Sequence, residues 1–242
     1  MNRFSRYQLR TTDVDGARQF YTDLLGSRFW DTGIDAGPLP AAAAARGAPA
    51  HWLGHIAVDD VVGTFLRFAE AGATQLGPAP DGADGNGRVV RDPFGAIVAL
   101  SPTGSMPGQD RVGWHLLSTR DEAQAFRVYS DLFGWTLLET LDLGEQGRHA
   151  TFTWARSGPA AGSTTDLARR PHVHSQWLFF FRTDDLDASL EVVRESGGLA
   201  QRVTETSDGD LVVACDDPQG AAFGLHQRRA RGLRERSRTI GR

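Results

Sequence analysis

From Tyr7 to Gly26 the chain changes its hydrophobic period once. Leu9 and Thr11 alternate with Gln8 and Arg10, as on a half-buried strand; after Asp13 the residues Val14, Ala17, Tyr21, Leu24 and Leu25 fall on one helical face. Asp13 can accept the free N–H groups of the first helical turn, and Gly26 can close the helix with a positive φ. The same pattern returns 108 positions later, where Leu117, Thr119, Asp121, Tyr129, Asp131, Leu132 and Gly134 match Leu9, Thr11, Asp13, Tyr21, Asp23, Leu24 and Gly26. A period that long describes a duplicated domain, not a solenoid.

A second repeat is nested in the first. His55–Asp60 reads as a strand leading into a helix with Val61, Phe65, Leu66 and Phe68 on its apolar side, followed by strands that end in Asp92-Pro93-Phe94-Gly95 and an apolar run to Leu100. Adding 125 reaches Asp184, Asp185, Gly197, Asp217, Pro218, Gly220 and Leu225. The Asp-Pro-x-Gly element is a tight turn, with proline presetting φ and glycine taking the corner. The chain thus predicts four strand–helix–strands modules in two pairs. The offsets differ by 17 residues, which the Gly-, Pro-, Ser- and Thr-rich stretch at 158–174 would absorb as an inserted loop.

These residues carry a resemblance. Phe20-Tyr21 before Leu25-Gly26, Tyr129 before Phe133-Gly134-Trp135, and two Asp-Pro-x-Gly turns before terminal strands are similar to the vicinal oxygen chelate superfamily of glyoxalases, bleomycin-resistance proteins and extradiol dioxygenases. The resemblance implies an α+β fold of two tandem domains, each a pair of βαβββ modules forming a curved sheet around a cleft. The expected limits are 1–105 for the first domain, 106–228 for the second, and 229–242 for a basic C-terminal tail. Fold is specified far better than reaction, because one scaffold hosts many sites.

At 242 residues, 40% of them hydrophobic, the chain can bury two cores, and a net charge of −4 points to no polyanionic partner. All 26 basic residues are Arg, spread over both halves and dense only in the tail, where a solvated terminus accounts for them. No apolar run reaches membrane length and no leader is evident, so a cytoplasmic protein is expected, with neither a membrane nor a nucleic acid as its partner; because each domain already holds a pair of modules, a monomer is expected. The single Cys215, beside Val212, Val213 and Ala214, reads as a small core residue.

In metal-dependent members of the superfamily the ligands come from first and last strands. Counting seven residues back from each helix-starting Asp, and seven on from the Asp of each turn, gives Arg6, Leu53, Ala99, Trp114, Leu178 and Gly224. None offers an imidazole or carboxylate, so no metal or other cofactor is expected. Strand alternation then says what the clefts hold instead. The first carries Arg6, Gln8, Arg10, His55 and Ala57, cationic and suited to a carboxylate or phosphate; a Gly-rich hairpin at 81–88 could close over it. The second carries Trp114, Leu116, Ser118, Leu178, Phe180 and Arg182, with Ala222, Gly224 and His226 on a closing strand. Trp30, Trp52, Trp135, Trp154 and Trp177 fit a core as well as a site, and His172 and His174 fall in the inserted loop.

Two functional classes follow. The first is a sequestration or resistance-type protein that holds a small, partly aromatic metabolite in the second cleft against Trp114 and Phe180, with Leu116, Ser118, Leu178, Gln8, Arg10 and His55 as further binding residues over the two clefts. The second is a metal-independent lyase, isomerase or cyclase, in which His226 transfers a proton and Arg182 stabilises developing negative charge. A metal-dependent glyoxalase- or dioxygenase-like enzyme is the third possibility, and it requires ligands that the counting does not find. The second domain is expected to be the working half.

Overall fold

A computed structural model describes residues 2–31, 33–78, 87–103, 111–142, 147–206 and 209–229. Residues 81–86 of the Gly-rich hairpin and the tail from 230 onward lie outside the described residues.

The first half contains β1 (Arg3–Thr11), α1 (Val14–Leu25), β2 (Ile34–Pro38), α2 (Ala41–Ala44), β3 (His51–Val58), α3 (Val61–Glu70), β4 (Thr74–Pro78), β5 (Arg88–Arg91) and β6 (Ile97–Pro102). The second contains β7 (Val112–Ser118), α4 (Glu122–Phe133), β8 (Thr136–Asp142), β9 (Arg148–Thr153), β10 (Gly162–Thr165), β11 (Gln176–Arg182), α5 (Leu186–Glu195), β12 (Leu199–Ala200), β13 (Thr204–Glu205), β14 (Leu211–Asp216) and β15 (Ala222–Gln227). The sheets run β2-β1-β3-β6-β5-β4 and β12-β14-β15-β11-β7-β10-β9-β8, with β13 beside β14. In each sheet the two modules meet at an antiparallel pair of first strands, β1 with β3 and β7 with β11. Each module closes with a strand parallel to its own first: β2 on β1, β6 on β3, β10 on β7 and β15 on β11. This is the α+β, tandem architecture that the repeats predict. The helix-starting aspartates act as expected, Asp13, Asp60, Asp121 and Asp185 each accepting a backbone N–H from the first turn.

The 17-residue difference is resolved differently from the sequence expectation. Twenty-seven positions separate Leu9 from its β2 neighbour Ala36, but 47 separate Leu117 from its β10 neighbour Thr164. The extra chain is the β8–β9 hairpin, which the first module lacks, so that module is reduced to strand, helix, strand. The stretch 158–174, expected as a loop, holds β10, whose Ser163, Thr164 and Thr165 are buried between β7 and β9. Small polar residues imitate a loop in sequence, yet neighbours on both sides satisfy this backbone and threonine suits the pleat. A second correction concerns Leu66, which faces solvent on α3 while Val61 and Phe68 carry the buried side.

The two sheets pack back to back. Trp52, Ile56 and Val58 of β3 and Trp177, Phe179 and Phe181 of β11 belong to one core that spans both halves. Gly54 leaves room for the rings packed on β3: a Cβ there would lie 2.4 Å from Phe179 and 2.6 Å from Phe4. Packing of these faces leaves the concave faces on opposite sides of the molecule. Trp52, Trp135 and Trp177 are therefore core residues, and Trp30 and Trp154 pack at its margin.

Buried polar groups cross this core in a pseudo-symmetric pair. Trp52 Nε1 donates to Tyr21 Oη at 2.9 Å, and that hydroxyl donates to Asp217 Oδ2 of the other half at 3.2 Å. Trp177 Nε1 donates to Tyr129 Oη at 3.0 Å, which donates to Asp92 Oδ2 at 3.0 Å. The other carboxylate oxygens accept the backbone N–H groups of their own turns, Phe94 and Ala96 for Asp92, Gln219 and Ala221 for Asp217. Burial outweighs these bonds and pushes the Asp92 carboxyl up to about 6. A third link joins Tyr7 to His115. His115 Nδ1 lies 2.9 Å from the Ala161 carbonyl and must donate to it, so Nε2 accepts from the Tyr7 hydroxyl at 2.6 Å. Full burial lowers the His115 pKa from 6.5 to about 4.

Tyr21→Phe and Tyr129→Phe should each cost about 1–3 kcal/mol in urea unfolding, since each strands a buried indole N–H and a carboxylate oxygen. His115 binds its proton at about 6.5 when unfolded and about 4 when folded, so its contribution is full above 6.5 and is lost as pH falls toward 4. Asp92, raised to about 6, works in the opposite sense, losing stability as pH rises from about 4 to 6. The stability gap between the native protein and His115→Gln isolates the histidine part and should widen by on the order of 3 kcal/mol from pH 4 to 7. A gap independent of pH would contradict this.

Candidate functional site

The concave face of the second sheet follows from alternation along its central strands. Leu178 lies opposite Leu116 and Phe180 opposite Trp114 across the β7–β11 pair, and the parallel β15 sets Gly224 beside Phe180 and His226 beside Arg182. The floor is therefore Trp114, Leu116, Leu178 and Phe180, with Ser118 at one end, and Arg182 and His226 at the other. Gly224 leaves room for the Phe180 ring, which a Cβ would meet at 2.2 Å. Leu178, Phe180 and Ser118 are buried; Trp114, Leu116 and Arg182 are half-buried and form the part of the face open to a ligand.

A polar wall stands beside this floor. Ser163 of β10 pairs with Leu116 on one side and Thr151 on the other, which brings its hydroxyl 3.4 Å from Trp114 Nε1 and 3.1 Å from His149 Nδ1. The indole of Trp114 is thus pinned by a hydrogen bond. His149, whose face the sequence left unassigned, belongs to this wall, and Ser163 was hidden by the loop-like composition around it.

At the cationic end, His226 Nε2 lies 2.8 Å from Asp210 Oδ2, and Asp210 Oδ1 accepts the Arg229 N–H at 3.1 Å. The carboxylate holds the proton on Nε2 and leaves the lone pair on Nδ1. That Nδ1 is buried and has no hydrogen-bond partner among the described residues. It packs over Gly113, where a Cβ would lie 2.2 Å away. His226 also borders a recess of about 200 Å³ with Arg182, Thr183, Asp184 and Arg228. Asp210 escaped the sequence reading but was countable. The Asp217–Gly220 turn sets Asp216 against Ala222, hence Val212 against His226, and Asp210 is two residues before Val212.

The first sheet has a concave face of another kind, with Arg6, Gln8 and Arg10 on β1 opposite His55, Leu53 and His51 on β3. Arg6 is ion-paired with Asp35 of β2, and Arg10 Nε donates to Gln8 Oε1 at 3.3 Å. His55 Nδ1 lies 2.9 Å from Ser101 Oγ. Burial, and then the charges of Arg6 and Arg10, drive the His55 pKa down to about 3, so the ring is neutral. The structure therefore divides the predicted site residues between two faces: Trp114, Leu116, Ser118, Leu178, Phe180, Arg182 and His226 on one, Gln8, Arg10 and His55 on the other. His172 and His174 are exposed, and His174 borders an open groove of about 510 Å³ between the halves whose lining includes no buried residue. Cys215 is buried, and its thiol is pushed up to about 12 chiefly by that burial, which suits a core residue and not a nucleophile.

The donor chemistry of these faces does not fit a divalent metal. The strand positions Arg6, Leu53, Ala99, Trp114, Leu178 and Gly224 supply no imidazole or carboxylate. Among the described residues no three His, Cys, Asp or Glu side chains converge. His55, the one imidazole at the centre of the first face, is within reach of two guanidinium charges that would oppose a cation.

Comparison with known proteins agrees with the architecture. A model of the Glyoxalase/Bleomycin resistance protein/Dioxygenase superfamily matches residues 3–100 and again 111–225. "Putative glyoxylase CFP32" of Mycobacterium tuberculosis is 28% identical over 245 residues, covering 90% of this chain and 91% of the relative, and the Mycobacterium bovis protein of that name matches equally. Among solved structures, the 2,3-dioxygenase LapB from Pseudomonas sp. KL28 superposes with a TM-score of 0.59 at 14% identity, covering 94% of this chain and 92% of that one. A variant of homoprotocatechuate 2,3-dioxygenase from B.fuscum gives 0.64 at 13% identity over 94% of this chain and 72% of that one. For 4-hydroxymandelate synthase from Streptomyces coelicolor the TM-score is 0.57 at 18% identity, covering 96% and 94%. At these identities the structural likeness concerns the fold.

Gly113→Ala should cost about 1–3 kcal/mol by overpacking against the His226 ring. It should also shift the imidazole proton resonances of His226 in an NMR titration, with the rest of the spectrum preserved; an unchanged resonance would show that the ring does not rest on Gly113.

Proposed function

The chain belongs to the Glyoxalase/Bleomycin resistance protein/Dioxygenase superfamily, and from that premise we propose that it binds a flat, partly aromatic small molecule on the concave face of the second sheet without a metal. The observation that carries this reading is the pinned Trp114 indole, held to Ser163 at 3.4 Å and continuous with Leu116, Leu178 and Phe180. Flat rings supply apolar contact without much loss of side-chain freedom, and the surrounding hydroxyls and imidazole fix orientation. Arg182 lies at the end of the floor, where an acidic group of the ligand would be held.

The Asp210–His226 pair supports a second reading, acid–base catalysis on the same face. With Nε2–H donated to Asp210, the basic lone pair of His226 is on Nδ1, which packs over Gly113; taking a proton from a bound substrate therefore requires the ring to turn toward the recess it shares with Arg182. The imidazolium so formed is stabilised by the Asp210 carboxylate, and negative charge developing on the substrate is met by Arg182. Dehydration, cyclisation and isomerisation are within reach of such a site. We infer that the chain works as a monomer, because each half already joins its own two modules in one continuous sheet.

Fluorescence titration with 2-naphthoate is the direct test: Trp114→Leu should weaken binding about tenfold or more, whereas Arg10→Ala should leave it unchanged, and the opposite result would place the ligand on the wrong sheet. If turnover of a substrate is found, His226→Ala and Asp210→Asn should abolish it with affinity preserved, while loss of affinity alone would favour the binding role. Elemental analysis of protein purified without chelators should give zinc, iron, manganese and nickel far below one equivalent.

A further inference from the structure

We propose that the open groove between the two halves is a site for an aryl monophosphate, with the phosphate on Arg120, His174 and Ser175 and the ring against Phe94. The proposal does not rest on the reading given for the second sheet. Three observations support it.

The first is space. The turn at 93–95 of the first half forms one wall of the groove, and Arg120, Asp121 and the segment 173–175 of the second half form the other, around about 510 Å³. That volume falls in the range of small-molecule sites, roughly 300–1,000 Å³. The walls meet where Gly95 faces Ser175, since a Cβ on that glycine would lie 3.5 Å from the serine Cβ.

The second is a set of unspent donors. Among the described residues the side chains of Arg120, His174 and Ser175, all of which line the groove, make no hydrogen bond or ion pair. Arg120 is fixed through its backbone, where its carbonyl accepts from Arg169 Nε at 2.6 Å, and this brings another guanidinium close by. The carboxylate in the lining, Asp121, accepts the Gln124 N–H at 3.1 Å as the cap of α4, whose positive end offsets its charge. A guanidinium, an imidazole and a hydroxyl remain for a ligand, and together they suit the several oxygens of a phosphate.

The third is exposure. Arg120 and His174 are exposed and Phe94 is half-buried. A doubly charged phosphate keeps much of its hydration in such a groove, whereas a buried face would strip it. Phe94 and Val173 add apolar surface to the lining, which favours an aryl ester over the free ion.

Isothermal titration calorimetry of the full chain with phenyl phosphate, inorganic phosphate and phenol tests the site. Phenyl phosphate should bind, and the other two should bind at least about fivefold more weakly. Arg120→Gln and His174→Gln, both changes of exposed side chains, should each weaken phenyl phosphate by a similar factor, and Phe94→Ala should reduce it to the level of inorganic phosphate. If Phe94→Ala no longer melts cooperatively, Phe94→Leu provides the comparison, with weakened binding expected. Trp114→Leu, and Arg28→Gln at an exposed arginine outside the groove, should leave binding unchanged. The proposal is overturned if phenyl phosphate does not bind, if phosphate or phenol binds as well, if Arg120→Gln and His174→Gln bind like the native chain, or if Arg28→Gln weakens binding as much as they do.

Discussion

Two chains of buried hydrogen bonds, Trp52–Tyr21–Asp217 and Trp177–Tyr129–Asp92, tie a helix of each half to a turn of the other. Each aspartate receives a tyrosine O–H on one oxygen and two backbone N–H groups on the other, so one carboxyl orders both the tight turn and the crossing. In a buried core such groups are costly if any partner is displaced, which restricts how the sheets can pack. Apolar burial supplies the bulk of the attraction between the halves, while these polar chains select one arrangement from the many that aromatic surfaces would tolerate.

That arrangement determines where chemistry can occur. With the sheets back to back, most aromatic rings of both, among them Trp52, Trp177, Phe179 and Phe181, are consumed in the shared core, and the concave faces become separate environments. The first is donor-rich and cationic. The second is aromatic, bounded by the Ser163–His149 wall and the His226–Asp210 pair. Absence of ligand-type side chains at the strand positions that hold metal elsewhere in the superfamily has a different consequence on each face. On the first face those positions carry Arg6, Leu53 and Ala99, and on the second Trp114, Leu178 and Gly224.

The duplicated modules have also diverged in service of these faces. The β8–β9 hairpin, present after α4 and absent after α1, supplies His149 and Thr151 to the wall of the second face. The first module closes instead with β2 directly beside β1, which brings Asp35 onto Arg6. One insertion therefore separates a face with an extended polar wall from one whose principal polar partners lie on adjacent strands.

Much of the architecture was legible along the chain because it rests on local chemistry. Leu9 and Leu117, Asp13 and Asp121, and the two Asp-Pro-x-Gly turns report strand period, helix capping and turn geometry, which depend on near neighbours and survive duplication at constant spacing. Strand alternation likewise placed Gln8, Arg10 and His55 together, and Trp114, Leu116, Leu178 and Phe180 together, since the strand period is two. What required the tertiary structure was pairing between distant segments. The threonines of β10 look like a loop until β7 and β9 flank them, His149 has no face until Ser163 is beside it, and Trp52 is a core residue because Tyr21 of its own half and Phe181 of the other pack against it. Composition cannot carry that information, because a polar side chain acquires its role from the partner it meets, and those partners lie far away in the chain.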